Sequence, residues 1–87
     1  MMDERIRGLL LGVCLPGRDI DAVNMLRKKS YIKDVKITYG MYDFIAVLET
    51  RNRDEYIKKV KELEKLVNDD GPITYLRVLS VVEYREK

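Results

Sequence analysis

The stretch that most constrains the fold is RIRGLLLGVCL, residues 5–15, because it is apolar on both of its alternating faces. At a two-residue period Leu9, Leu11, Val13 and Leu15 share one side, while Ile6, Gly8, Leu10, Gly12 and Cys14 share the other. A strand of this kind needs cover on both surfaces. Gly8 and Gly12 on one face either admit a close-packed neighbour or mark local twist or a bulge. With 87 residues the chain has room for one domain, 1–87. A domain this small buries only about 60–65% of its unfolded surface. Yet 46% of the residues are hydrophobic, so the domain is either very stable or buries apolar surface against copies of itself.

The remaining segments alternate helix and strand signals. In PGRDIDAVNMLRKKS, Asp19 is the expected N-cap, Asp21 adds charge to the first turn, and Arg27, Lys28 and Lys29 suit the C-terminal end of the helix dipole. Ile20, Val23 and Leu26 form its expected inward stripe. Residues 31–39 read as a strand carrying Val35, Ile37 and Tyr39 on one face, and a tight turn is expected at Gly40-Met41. Residues 42–50 then return as its antiparallel hairpin partner. Asn52 and Glu55 make a capping-box start to a second helix. Its stripe runs through Tyr56, Val60, Leu63 and Val67, and Gly71-Pro72 is expected to stop it. Residues 73–85 form a last strand, with Tyr75, Leu79 and Val81 facing one way and Leu76, Val78, Val82 and Tyr84 the other.

The order βαββαβ predicts an α+β, ferredoxin-like sandwich, a four-stranded antiparallel sheet with two helices on one face. The other sheet face then has no cover from this chain, although three strands carry apolar residues there. Such a patch exceeds what monomers tolerate, so an oligomer is expected, dimerising through the open sheet face.

Composition narrows the chemistry. There are 17 basic and 15 acidic residues, a net charge of +2, which provides no field that by itself predicts nucleic-acid binding. The absence of His, Trp and Gln beside abundant Lys, Arg and Glu leans towards a heat-adapted protein. The single Cys14 fits a reducing cytoplasm, no secretory signal opens the sequence, and no apolar run approaches the ~18 residues of a membrane span. A cytoplasmic protein is expected, with no membrane partner. Asp19/Asp21 and Asp69/Asp70 read as helix-end charges rather than metal ligands. Ser30, Ser80 and Cys14 have no His to activate them. Neither a catalytic residue nor a metal or other cofactor is expected, and the protein is not expected to be an enzyme. YGMYDFIAV is a poor match to the RNA-recognition signature, because Tyr39 replaces the basic residue and Asp43 lies where phosphates would pass.

GVCLPGRDIDAVNML, VKITYGMYDFIAVLE and, after a helix, DGPITYLRVLSVVEY together resemble the effector-binding (RAM) domain of the Lrp/AsnC family of transcriptional regulators, over about Arg5 to Glu83. The most specific piece is the G-x-Y-D element Gly40, Met41, Tyr42 and Asp43. The family's helix-turn-helix domain has no counterpart before the first strand, so the resemblance implies a stand-alone module without direct DNA binding. It further implies homo-oligomers, dimers joined by their open sheets and assembled into rings, often octamers, with an amino acid effector bound between dimers. Leu76 and Val78 stand where the family has T-x-T, and Leu79, Ser80 and Val81 fall in the region whose side chains affect ligand response.

These residues define the expected ligand site: Gly40, Met41, Tyr42 and Asp43 with Leu79, Ser80 and Val81. An amino acid presents an ammonium and a carboxylate on one carbon. Asp43 offers a charge-assisted acceptor for the first, and N–H groups of the Gly40-Met41 turn offer donors for the second. Against this stands a plain turn role for Asp43 through its own backbone. The function implied is a self-assembling amino-acid sensor, acting through full-length regulators of the family or another partner. The alternative is a structural or interaction module that assembles without a ligand.

Overall fold

Residues 5–81 are described by the structure, a computed structural model. The reading of Val82 and Tyr84 lies outside them. Six elements follow in order: β1 (Ile6–Cys14), α1 (Asp19–Arg27), β2 (Ile32–Ile37), β3 (Phe44–Thr50), α2 (Arg53–Glu64) and β4 (Ile73–Val81). One four-stranded sheet has the order β2-β3-β1-β4, and every neighbouring pair is antiparallel. This is the ferredoxin-like βαββαβ sandwich expected from the element order. β1 is an inner strand, paired with β3 and β4; its Leu10 and Cys14 are buried under the helices, while Leu9 and Leu11 lie on the other face.

The core fills the space between sheet and helices. Leu10, Phe44, Leu48, Leu26, Leu63 and Ile73 are its largest fully buried side chains. Gly8 and Gly12 serve close approach: a Cβ at Gly8 would collide with the Tyr56 ring of α2, and one at Gly12 with the ring of Phe44. Neither glycine has positive φ, so space rather than backbone freedom requires them. A register shift does occur in β1, but further along, between Val13 and Cys14 against β4.

On the opposite face, Leu9 pairs with Val47 and Leu79, and Leu11 with Ile45. Among the described residues nothing covers these side chains, and Leu79 and Tyr75 are exposed. Glu49 closes one margin with ion pairs to Arg5 at 3.1 Å and Arg7 at 3.5 Å.

Several local expectations are corrected. Asp19 is not the N-cap of α1; Arg18 takes that position without a side-chain bond, and Asp21 pairs with Arg18 instead. The buried stripe of α1 is Ala22, Val23 and Leu26, and Ile20 is 57% exposed because it sits in the first turn at the margin of that stripe. The capping box of α2 is present, with Asn52 Oδ1 accepting from Glu55 N at 2.9 Å. Glu55 Oε1, however, accepts from Arg51 N at 3.0 Å, one residue earlier than the usual reciprocal bond. α2 ends at Glu64, well before Gly71-Pro72. The exit is built by Asn68, whose N donates to Ile73 O (3.2 Å) and whose Oδ1 accepts from Asp70 N (2.8 Å).

Candidate functional site

The connection between β2 and β3 is longer than the tight turn expected at Gly40-Met41. Residues 38–43 form a loop closed by Thr38 N donating to Asp43 O at 2.8 Å, and by Thr38 Oγ1 donating to Tyr42 O at 2.9 Å. Gly40 has φ +123°, a conformation that other residues avoid. The loop tip projects two large side chains, Tyr39 (95% exposed) and Met41 (87% exposed). Among the described residues no acceptor takes the backbone N–H of Gly40 or Met41.

Asp43 sits at the base of this loop, where β1 and β3 separate. Its N–H donates to Gly12 O at 2.7 Å, continuing the ladder past the Gly12–Phe44 pair. Its carboxylate then takes the place of the next backbone acceptor, with Oδ2 receiving Cys14 N–H at 2.7 Å. Asp43 therefore does structural work across strands, not within its own turn. The other oxygen, Oδ1, has no hydrogen-bond partner among the described residues. Beside it, burial pushes the Cys14 thiol up from its ordinary 9.0 to about 11, reinforced by the charges of Asp43 and then Asp19.

The second predicted group lies elsewhere. Leu79 stands on the open face opposite Leu9, Ser80 faces the helices with its Oγ 2.9 Å from Tyr56 Oη, and Val81 pairs with Arg7. Gly40, Met41, Tyr42 and Asp43 are brought together at one end of β1, and Leu79, Ser80 and Val81 at the other. Along the strand the two groups are separated by roughly 15 Å, at about 3.3 Å per residue. Within one chain they do not meet. The T-x-T counterparts Leu76 and Val78 are packed against the core.

A separate open groove of about 630 Å3 lies at the far end of β3 from the 38–43 loop. Arg5, Lys33, Arg51 and Lys59 line it, with Glu49 and Glu55. Tyr31 forms part of the wall, its hydroxyl donating to Glu62 Oε1 at 2.7 Å and its ring lying 5.0 Å from Lys59 Nζ. That bond holds the Glu62 carboxyl below its usual range, and burial together with Glu62 raises the Tyr31 phenol. No sequence signal pointed to this groove, since its side chains come from four separate segments. Among the described residues no helix is long and apolar enough to cross a membrane.

No protein-family model matches the chain, and no curated protein matches it in sequence. Solved structures do match. A hypothetical protein, PHS023, from Pyrococcus horikoshii superposes with a TM-score of 0.78 at 18% identity, covering 91% of this chain and 92% of that one. FFRP-DM1 superposes with a TM-score of 0.76 at 18% identity over 88% of this chain and 99% of that chain. PH0061 reaches 0.74 at 15% identity; the match covers 97% of this chain but 56% of PH0061. FFRP-DM1 and PH0061 are Lrp/AsnC-family proteins. At these identities the likeness is one of fold: the chain shares the four-stranded, two-helix sandwich of these structures.

Proposed function

We propose that this chain is an amino-acid-binding, self-assembling regulatory module of the Lrp/AsnC kind, which binds its effector between dimers and acts by binding, not catalysis. The observation that carries this reading is the Asp43 carboxylate: Cys14 N–H fixes one oxygen at 2.7 Å, the other has no hydrogen-bond partner among the described residues, and the N–H groups of Gly40 and Met41 in the same loop take no acceptor among them. An ammonium against Oδ1 and a carboxylate against that turn would pair both charges of a free amino acid. The open face of Leu9, Leu11, Ile45, Val47 and Leu79 supports assembly. Assembly in turn answers the roughly 15 Å gap between the two predicted groups, because the loop of one subunit can meet Leu79, Ser80 and Val81 of another. Ligand bound there favours one assembly state over another. Mixed assembly with Lrp/AsnC-type regulators would carry the signal to transcription.

The test is a calorimetric titration of the purified protein with pooled amino acids, subdividing any pool that releases heat. Saturable binding of one amino acid, at an affinity of ~0.1 mM or tighter, is expected. Absence of heat from every pool would contradict the reading. It would favour the second one, an interaction module without a ligand, to which the apolar packing of Leu76 and Val78 in place of T-x-T lends support.

A further inference from the structure

We infer that the groove at the start of β2 is a binding site for phosphate monoesters, lined by none of the residues assigned to the amino-acid site. Its lining holds four basic and two acidic side chains, a net +2 equal to that of the entire chain. Positive charge is therefore gathered in one concave place on a molecule otherwise close to balance. The acidic members are already engaged. Glu49 is held by Arg5 at 3.1 Å and Arg7 at 3.5 Å, and Glu55 Oε1 receives Arg51 N at 3.0 Å. Lys59 leans on Glu62 at 3.9 Å.

Two cations remain. Among the described residues neither Arg51 nor Lys33 has a carboxylate within ion-pair distance. Arg51 is held at its backbone, whose N–H donates to Glu55 Oε1 at 3.0 Å, and Lys33 at its tip, whose Nζ donates to Ser30 O at 3.3 Å and keeps its other protons for a ligand. A planar guanidinium fork and a lysine point charge are the pair of groups that recognises a phosphate dianion. The Ser30 hydroxyl, also in the lining, is an additional donor. The space of about 630 Å3 exceeds what a bare phosphate fills and falls in the range of pockets for organic ligands. An organic group on the phosphate would lie along Tyr31 and Lys59.

The site lies beyond the seven-residue strand β3 from the 38–43 loop, a separation of about 20 Å at strand spacing. Leu79, Ser80 and Val81 lie at the groove's end of β1 but outside its lining, so its occupancy is read from residues 30–33 and 50–55, which belong to neither part of the amino-acid site. The experiment is an amide-shift titration of the whole protein at low ionic strength, with phenyl phosphate and with inorganic phosphate as probes. Saturable shifts are expected at residues 30–33 and 50–55 with both probes, tighter for phenyl phosphate. The double variant Arg51→Gln, Lys33→Gln should weaken both by at least about tenfold, while Asp43→Asn leaves them unchanged. Both substituted side chains are exposed, so the double variant should keep its fold, which its own amide spectrum reports. Equal affinity for the two probes would assign the site to inorganic phosphate. Shifts scattered over lysines throughout the surface, no saturation below about 10 mM, or an unaffected double variant would overturn the site.

Discussion

Asp43 performs two jobs that substitution can separate. Asn keeps an oxygen able to accept Cys14 N–H but loses the charge; Ala loses both. Asp43→Ala is therefore expected to lower stability by about 1–3 kcal/mol, as for removal of a partly buried acceptor, and Asp43→Asn by clearly less. Chemical denaturation of the two variants checks the order. A ranking with Asn as damaging as Ala would mean that the 2.7 Å bond is not what holds the strand ends together. Cys14 provides an independent readout of the same corner. Its thiol is raised in the folded chain to about 11, so the unfolded chain gives up this proton first as pH rises. The stabilising contribution is then complete below the ordinary 9.0 and is lost as pH climbs towards about 11. Urea midpoints measured across that window should fall more steeply for the wild type than for Cys14→Ala. Identical slopes would remove Cys14 from the account.

At the scale of elements, the structure separates what patterning could reveal from what it could not. Strand and helix order was legible because Leu9, Leu10 and Leu11 alternate sides, and because Asn52 with Glu55 is a capping signal that the geometry realises at 2.9 Å. Asn52→Ala should lower stability by about 1 kcal/mol, read from thermal or urea denaturation; no change would mean that the bond is replaced by water. Element ends were less legible. Gly71-Pro72 looks like a helix stop, but Asn68 performs the exit through its own side chain, and the preference of Asn for turns does not mark a position as sharply as Pro does. Gly40 suggests a two-residue turn within residues 38–43. Its actual length is set by Thr38, which bonds both Tyr42 O and Asp43 O. Of the expected ligand residues, Gly40 to Asp43 belong to a short motif, and Leu79, Ser80 and Val81 follow from the family resemblance. Their separation along β1 could not be seen without the register that pairs Leu79 with Leu9 and Phe44 with Gly12. The basic groove left no trace in the sequence at all, since Arg5, Lys33, Arg51 and Lys59 meet only through the fold.

For the whole molecule, the uncovered sheet face and the divided ligand residues lead to the same expectation, that one chain is not the functional unit. A charge placed at the centre of the open face tests this without touching the core. Val47 pairs with Leu9 there, so Val47→Lys should release smaller species in sedimentation velocity while the helical signal in circular dichroism is kept. An unchanged assembly would mean that the open face is not the joint. Binding between subunits also predicts that Val47→Lys weakens the effector although Val47 is not a ligand residue. The most direct measurement is paired calorimetry of wild type and Asp43→Asn with the amino acids. The account predicts saturable heat from one amino acid with the wild type and an affinity reduced about tenfold or more in Asp43→Asn, the expected effect of removing a charge-assisted acceptor. Equal binding by both proteins, or no heat with either, would contradict it.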